Sequence, residues 1–250
     1  MAANSAVRAG AGLVSLAVPA SLNAILEVKT TEAMTVPIPD KDCGLFGGEA
    51  FNSILLAAMG KDAVALGPGI SLNPEIAMLV RDLLANISQP LVVDADGLNA
   101  IAEEPDVLLG KKSAKVVLTP HPGEMGRLAA LSVADVENDR IGVARAFAVK
   151  YQVYLILKGA RTVIAAPDGA VAINGSGNPG MASGGMGDVL TGVLTALLAQ
   201  GYEPMTACML GVFIHGYAAD LVAADKGEIG ISAVDVQEKL PYAIKDIMGL

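Results

Sequence analysis

Cysteine and histidine are both scarce in this sequence, which has two of each among its 250 residues. Cys43 and Cys208 lie far apart and form no Cys-x-x-Cys pair. They cannot supply a disulfide framework, so a reducing compartment, the cytoplasm, is the expected location. Neither the cysteines nor the histidines are spaced as zinc ligands are, and the sequence therefore predicts no zinc site.

Positive charge is also in short supply, with 17 lysines and arginines against 26 acidic residues and a formal net charge of −9. Surfaces for nucleic acids or anionic membranes need basic patches, so neither partner is expected. The most apolar run, residues 205–219, contains Gly211, His215 and Gly216 and predicts a buried helix rather than a membrane span. His215 is expected to be a core histidine whose hydrogen bonds are satisfied.

Three common signatures of nucleotide-binding and hydrolytic sites are missing. They are the Walker A loop, the Gly-x-Ser-x-Gly elbow, and a Gly-x-Gly-x-x-Gly turn after the first strand. No repeat, low-complexity tract or linker divides the chain either. Because 53% of the residues are hydrophobic, the chain can bury a full core, and residues 1–250 are expected to form one domain.

Short, continuous apolar segments alternate with helical segments along the chain. This pattern predicts an α/β fold with a mostly parallel central sheet and helices on both faces. Pro37 and Pro39 place the extended residues 30–39 at a sheet edge, and residues 134–150 are predicted to be helical throughout. The predicted strands are residues 13–18, 63–66, 91–93, 114–118, 153–157, 162–166 and 170–173.

The most informative stretch is a glycine-rich loop that runs directly into an apolar helix. It reads Asn178-Pro179-Gly180-Met181-Ala182-Ser183-Gly184-Gly185-Met186-Gly187-Asp188. The first amides of a helix have no partners within it, and together with the helix dipole they attract phosphate. Glycine also lets the backbone approach an anion closely. The sequence therefore predicts a phosphate site at this loop.

Asp188 is the one acidic residue of this stretch and falls in the first turn of the predicted helix. The helix dipole and the neighbouring amides are expected to keep its carboxylate ionised. An ionised carboxylate beside a phosphate can take the proton from a hydroxyl group that attacks phosphorus. Asp188 is therefore the candidate catalytic base, and the alternative is that it is an ordinary helix N-cap.

Unusual polar or glycine clusters follow four of the predicted strands at their carboxyl ends. In an open α/β sheet, ligands bind in the crevice outside these ends. One such cluster alone is weak evidence, but four that point into one crevice predict a binding site. The clusters are Gly67-Pro68-Gly69, Asp94-Ala95-Asp96, His121-Pro122-Gly123-Glu124 and Lys158-Gly159.

The polar residues of these clusters each have a functional and a structural interpretation. Asp94 either orients a ribose or a metal-bound water, or belongs to a turn and cap before the next helix. His121 is favoured as a residue that contacts substrate or transfers a proton. Glu124 either coordinates Mg²⁺ or is a first-turn acid of a helix capped by Thr119. Lys158 either supplies a cation for a phosphate or is a solvated hairpin lysine.

These motifs together resemble those of the ADP/ATP-dependent NAD(P)H-hydrate dehydratases, whose fold is a ribokinase-like three-layer sandwich. The resemblance covers nearly the whole chain and rests on the four clusters, the last extended through Ala160-Arg161-Thr162, and on the loop that ends at Asp188. It implies that a nucleotide phosphorylates the ring hydroxyl of the S-epimer of hydrated NADH or NADPH. Elimination of phosphate then restores NAD(P)H, and in bacterial members ADP becomes AMP.

The resemblance also assigns residues to the two ligands. By this likeness the hydrated dinucleotide would contact Gly69, His121 and Asp188, and the strand-end positions add Gly67 and Asp94. The adenine nucleotide, ADP or ATP, would contact Lys158, Gly159, Ala160, Arg161, Thr162 and Gly187, to which the loop adds Asn178, Gly184 and Gly185. Mg²⁺ is expected with the nucleotide, and Glu124 is its candidate protein ligand.

The family begins with a strand and a glycine-containing turn ahead of the helix predicted at residues 2–9. That segment is expected to be lacking here, either because the start is truncated or because another chain or domain, such as an epimerase, supplies it. The likeness further implies a homo-oligomer.

Two other functions are kept as alternatives. A ribokinase-like kinase of a small alcohol, such as a vitamin precursor, suits the Gly184-to-Asp188 pattern equally well, whereas the cluster at His121 favours the dehydratase. The other alternative is a non-catalytic nucleotide-binding subunit.

Overall fold

The computed structural model describes residues 1–40 and 43–249. Its strands are β1 (Ser15–Pro19), β2 (Met34–Ile38), β3 (Val64–Leu66), β4 (Leu91–Val93), β5 (Val116–Leu118), β6 (Tyr154–Leu157), β7 (Val163–Ala165) and β8 (Val171–Ile173). Its α-helices are α1 (Ala2–Arg8), α2 (Asn23–Lys29), α3 (Ala50–Ala58), α4 (Pro74–Asn86), α5 (Asp96–Ala102), α6 (Pro122–Ala129), α7 (Val133–Asn138), α8 (Arg140–Tyr151), α9 (Met186–Ala199), α10 (Pro204–Lys226) and α11 (Ala233–Met248). The three 3₁₀ helices of these residues are Ala20–Leu22, Pro105–Gly110 and Pro179–Met181.

Strands β3 to β8 form a six-stranded sheet in which neighbours along the chain are also neighbours in space. Strands β3 to β6 are parallel, and β6, β7 and β8 are joined as antiparallel pairs. The parallel register aligns Leu66 with Val93, and Val93 with Leu118. The loops that follow these strands therefore emerge side by side at the carboxyl ends of the strands, as the sequence predicts.

Helices cover both faces of this sheet. Val92, Val117 and Ile156 pack on one face with side chains of α1, α9, α10 and α11. Their neighbours in the strands, such as Val93 and Leu118, pack on the other face with α4, α5, α6 and α8. Both sets are apolar because alternate residues of a strand point to opposite faces and each face is buried. The predicted three-layer α/β architecture is confirmed.

Strands β1 and β2 form a separate parallel sheet of two strands. Residues 30–39 were expected at a sheet edge, and within the described ranges β2 does pair on one side only, with Pro37 opposite Val18. A cavity of about 390 Å³ separates β1 from β3. Side chains of α1 and α9 line the cavity from one layer, and side chains of α3 and α4 line it from the other.

Strand β3 shows the effect of this separation. Its three residues are all partly or fully exposed, whereas every residue of β4 and β5 is buried. No strand among the described residues pairs with the cavity-facing edge of β1 or of β3. Backbone groups along both edges therefore face the cavity without the ladder partners that an interior strand has.

Residues 134–150 form two helices rather than one. Helix α7 ends at Asn138, and α8 begins at Arg140. Asp139 interrupts them with φ −140°, and its Oδ1 accepts a hydrogen bond of 2.8 Å from the Gly142 backbone N–H. An aspartate that caps the following helix in this way competes with continuation of the preceding one.

Helix α10 is the one helix in the described ranges that is long and apolar enough to cross a membrane by length and composition alone. However, 56% of its most apolar window is buried inside the protein. Its side chains pack with α9 and α11 in the core beneath the sheet. It extends from Pro204 to Lys226, beyond the apolar run, and agrees with the predicted buried helix.

Helix α1 packs closely on α9 at Gly192, which gives a test of this contact. A methyl group at Gly192 would lie 2.7 Å from Ser5 Cβ and 2.9 Å from Ala6 N, so the two helices would have to separate. We expect Gly192→Ala to lower the free energy of unfolding by about 3 kcal/mol in urea denaturation. The control is Gly110→Ala, where a methyl group meets no atom within 4 Å. Equal losses in the two variants would contradict the tight contact.

Candidate active site

The glycine-rich loop leads into α9 as predicted, and it is anchored to α10. Gly185 is the N-cap of α9 with φ 88°, a left-handed conformation that favours glycine. Asp220 on α10 accepts a hydrogen bond of 2.9 Å from the Gly177 backbone N–H and another of 2.9 Å from Asn178 Nδ2. Asn178 Oδ1 in turn accepts from the Gly180 backbone N–H at 3.1 Å. Asn178 therefore supports the loop, and its predicted nucleotide contact stays a prediction.

The backbone amides at the start of α9 are free to bind an anion. Within the described part of the chain, the N–H groups of residues 184–188 donate no hydrogen bond, and the first that does is Val189, to Gly185 O at 3.1 Å. Met186 is buried, but the other four residues of this run are at least partly exposed. A run of unpaired amides at a helix N-terminus suits a phosphate group. The geometry thus provides the anion site that the sequence predicts.

Lys158 supplies a positive charge beside these amides. Its Nζ lies 2.8 Å from Asp94 Oδ1 and 3.7 Å from Glu124 Oε2, and its side chain is only 19% exposed. The interpretation of Lys158 as a solvated hairpin lysine is therefore wrong. A methyl group on Gly187 would lie 3.2 Å from both Lys158 Nζ and Asp94 Oδ2. The loop backbone thus passes directly over the ion pair because residue 187 has no side chain.

Asp94 is buried and fully engaged by protein donors. Its Oδ1 pairs with Lys158, and its Oδ2 accepts a hydrogen bond of 2.9 Å from Thr191 Oγ1. The residue is 1% exposed. Its side chain caps no helix, since the N-cap of α5 is Ala95 and makes no side-chain cap bond. The predicted contact between Asp94 and substrate stays a prediction, and the structure shows that the carboxylate holds Lys158.

Gly67 joins the carboxyl ends of β3 and β4. Its φ is 127°, and a methyl group there would collide with Asp94 O and lie 2.9 Å from the Gly97 backbone N. Gly69 has φ 72°, and a methyl group there would meet no atom within 4 Å. Gly67 is thus required by packing, whereas Gly69 borders open space. The predicted substrate contacts of both glycines stay predictions.

His121 caps helix α6. Its Nδ1 accepts hydrogen bonds from the backbone N–H groups of Gly123 at 3.0 Å and Glu124 at 3.3 Å. Thr119 was the alternative cap, but its Oγ1 donates to Val93 O at 3.3 Å instead. The His121 side chain is half exposed, and its Nε2 lies 3.5 Å from Glu124 Oε1. The cap uses Nδ1 and therefore leaves Nε2 available for the predicted contact with substrate.

Glu124 is buried between His121 and Lys158. Its Oε2 accepts a hydrogen bond of 2.8 Å from the His121 backbone N–H, so it is also the first-turn acid of α6. No group of three or more His, Cys, Asp or Glu side chains in the described ranges is arranged to hold a metal ion. Magnesium that arrives with nucleotide phosphates needs only one or two protein carboxylates. Glu124 as a ligand of Mg²⁺ stays a prediction.

The environment of Asp188 raises the pKa of its carboxyl group. Burial is the largest cause. The amino group of Met1 acts in the opposite direction, the charge of Asp94 raises the pKa further, and Lys158 lowers it. Burial thus opposes the expected ionisation of this carboxylate, which stays a prediction. Asp188 does not cap α9 either, because the N-cap is Gly185 and no side chain bonds there. A carboxylate with a raised pKa is better matched to general-base catalysis near neutral pH.

The turn between β6 and β7 carries the rest of the predicted nucleotide segment. Thr162 Oγ1 donates to Gly159 O at 2.9 Å, which closes the turn. Arg140 Nη2 donates to Leu157 O at 3.0 Å and to Lys158 O at 3.1 Å. These bonds fix the backbone of Lys158, the first residue of the segment. Ala160 and Arg161, like Gly159, are exposed. Their predicted contacts with the adenine nucleotide stay predictions.

The structure shows three supporting residues that sequence reasoning missed. Thr191 and Asp220 contact Asp94 and the glycine-rich loop from within apolar helices. A buried polar residue in an apolar helix is a signal that could have revealed Thr191, whereas Asp220 is partly exposed. Arg140 lies on an ordinary-looking helix and offers no such signal.

His215 on α10 was expected to have its hydrogen bonds satisfied, and this expectation is wrong. Its Nε2 is buried and has no hydrogen-bond partner within the described ranges. Burial, with a smaller effect of Lys158, lowers the pKa of His215 to about 4. The ring is therefore neutral at physiological pH and adds no charge to the site.

Sequence comparison identifies the relatives of this chain. The sequence model of a family described as NAD(P)H-hydrate dehydratase matches residues 1–242. The bifunctional NAD(P)H-hydrate repair enzyme Nnr of Moorella thermoacetica is 45% identical over 247 residues, which is 99% of this chain and 46% of the relative. That of Thermofilum pendens is 40% identical over 245 residues, or 98% of this chain and 47% of the relative. The chain thus spans about half the length of these curated relatives.

Structural comparison agrees on the fold. The ADP/ATP-dependent NAD(P)H-hydrate dehydratase from Bacillus subtilis, co-crystallised with ATP and Mg²⁺, matches with a TM-score of 0.81 and 28% identity over 98% of this chain and 83% of that chain. A ribokinase-like superfamily protein from Enterococcus faecalis matches with a TM-score of 0.82 and 25% identity over 98% and 81%. A hydroxyethylthiazole kinase from Pyrococcus horikoshii shares the fold at 16% identity, with a TM-score of 0.65 over 96% and 92%. The ribokinase-like fold is confirmed.

The raised pKa of Asp188 predicts an effect on stability. Ionising a group whose pKa is raised by folding costs stability above that pKa, and the penalty disappears once pH falls below the value in the unfolded chain. We expect Asp188→Asn to raise Tm by a few degrees at neutral pH and to lose this gain as pH falls towards 4. The control is Asp82→Asn, an exposed carboxylate on α4, which should leave Tm unchanged. A lower Tm for Asp188→Asn at neutral pH would contradict the assignment.

Proposed function

Because the chain belongs to the NAD(P)H-hydrate dehydratase family, we propose that it restores NADH and NADPH from their hydrated S-epimers, with ADP or ATP as phosphoryl donor. The observation that supports this most directly is the run of unpaired amides at residues 184–188, set over the Lys158 ammonium and ending at Asp188. Unpaired amides, a cation and a carboxylate base are the parts that phosphoryl transfer to a hydroxyl requires.

The residues divide the reaction between them. The amides of residues 184–188 and Lys158 bind the phosphoryl group and stabilise the charge that spreads over its oxygens. Asp188 accepts the proton of the ring hydroxyl as its oxygen forms a bond to phosphorus and the bond to the leaving nucleotide breaks. The adjacent ring carbon then loses a proton as the C–O bond of the phosphorylated ring breaks, so that phosphate leaves and the ring double bond forms again. Mg²⁺ bound with the nucleotide, with Glu124 as candidate ligand, would neutralise phosphate charge.

The small-alcohol kinase alternative is less well supported. The glycine-rich loop suits such a kinase too, but the hydroxyethylthiazole kinase is only 16% identical to this chain, so that the likeness shows the fold alone. The conversion of ADP to AMP, the homo-oligomer and the cytoplasmic location belong to the same proposal. An epimerase partner, as domain or chain, is proposed from the bifunctional relatives.

We also propose that, in the active protein, an additional strand lies between β1 and β3 and completes the central sheet. Both strands turn an unpaired edge to the cavity that separates them. Lys61 Nζ donates to Ser15 Oγ at 3.0 Å, so the two strands begin at the same end of the cavity. Gly67, at the carboxyl end of β3, lines the same cavity. An inserted strand that runs parallel to β3 would therefore end next to the predicted substrate residues.

Amide hydrogen exchange tests the additional strand. In the active protein, we expect amides on the facing edges of β1 and β3 to exchange as slowly as those of β4, because an inserted strand accepts their hydrogen bonds. Strand β4, which is paired on both sides, is the internal reference. Fast exchange along both edges in a fully active preparation would refute the proposal.

The central experiment is an assay of the hydrated dinucleotide. Incubation with ADP or ATP and hydrated NADH should restore the absorbance band of reduced nicotinamide. We expect Asp188→Asn to lower turnover by about 100-fold or more while nucleotide binding is largely kept, since a general base acts on the chemical step. Asp82→Asn should behave as the unmodified protein. Undiminished turnover in Asp188→Asn would contradict the assignment of Asp188 as the base. Turnover of a small alcohol, without turnover of the hydrated dinucleotide, would favour the kinase.

A further inference from the structure

Three side chains form a hydrogen-bonded chain from the interior of α9 to the glycine-rich loop. Thr191 Oγ1 donates to Asp94 Oδ2 at 2.9 Å, and Lys158 Nζ donates to Asp94 Oδ1 at 2.8 Å. Thr191 is fully buried and Asp94 is 1% exposed, so water does not substitute for either partner. Lys158 is the outermost member, with Nζ directly beneath Gly187.

Thr191 departs from what a threonine in a helix usually does. A threonine hydroxyl commonly donates to the carbonyl group of the residue four positions earlier. Thr195, one turn further along α9, does so, with Oγ1 2.7 Å from Thr191 O. Thr191 instead directs its hydroxyl across to β4 and Asp94. Helix α9 therefore donates this side-chain hydrogen bond to the site instead of to its own backbone.

This hydrogen bond sets the orientation of the Asp94 carboxylate. With Oδ2 held by Thr191, Oδ1 is the oxygen that faces Lys158, and the carboxylate cannot rotate without leaving a buried oxygen unpaired. Leaving a buried charged acceptor unpaired is costly, so the orientation is fixed. Glu124 Oε2 lies 3.7 Å from Nζ. Two fixed carboxylates thus hold a long, flexible side chain in one place.

We propose that Thr191 is a positioning residue for phosphoryl transfer, acting through Asp94 on Lys158. The proposal rests on the proposed function, because it takes the transferred phosphoryl group to lie on the amides above Lys158. Lysine is a point charge on a flexible stem. A small displacement of Nζ beneath Gly187 would weaken its interaction with the developing charge more than it weakens ground-state nucleotide binding.

A double-mutant cycle tests this dependence on Lys158. We expect Thr191→Val to lower turnover by about tenfold, mainly in kcat rather than in KM for the nucleotide. In a Lys158→Met background, the same substitution should have almost no further effect, since the residue through which Thr191 acts is gone. Thr191→Ser keeps the hydroxyl and should restore most of the activity. Thr195→Val, the same change one turn away, should leave turnover within about twofold in both backgrounds.

The outcomes separate the positioning role from a structural one. A merely structural Thr191 would impose the same loss with and without Lys158, and that additive result would overturn the proposal. So would unchanged turnover in Thr191→Val, provided that its Tm shows it to be folded. If the unmodified protein binds ADP but does not convert the hydrated dinucleotide, the dehydratase function is refuted, and calorimetric titration with ADP replaces the turnover assay for the same variants. In that case Thr191→Val should weaken ADP binding only while Lys158 is present.

Discussion

The site depends on one electrostatic constraint, which is that an acidic protein has to hold a polyanion. With a net charge of −9, the average surface of this chain repels phosphate. An exception among the described residues is the start of α9, where unpaired amides lie next to the Lys158 ammonium. The amides carry no net charge and the lysine is already paired with Asp94. Attraction therefore comes from fixed dipoles and a held cation at short range rather than from a broad positive field.

The same arrangement explains how a base can work beside an anion site. Asp188 shares the first turn of α9 with the phosphate-binding amides, and burial raises the pKa of its carboxyl group. A higher proton affinity is what a general base requires. The carboxylate and the amides are neighbours in sequence, so their separation is set by the helical backbone rather than by flexible side chains. The loop and the base are thus one rigid unit, and its support comes from Asp220 and Asp94.

Much of this arrangement could be predicted from the sequence, because it follows from local patterns. Apolar strands, glycine clusters at strand ends and the loop at Asp188 are all visible as spacing. The break at Asp139 was missed because a capping side chain inside a helical pattern looks like a surface acid. The raised pKa of Asp188 was not foreseen because burial depends on packing that no short motif records. Thr191 and Asp94 are 97 residues apart, and only the fold brings them together.

The gap between β1 and β3 has a consequence outside the reaction. Two strand edges with free backbone groups, lined by apolar side chains, are a template that another polypeptide can extend. Edge-to-edge pairing between copies at such a seam would grow into open-ended aggregates rather than closed dimers. The net charge of −9 on each copy opposes such pairing.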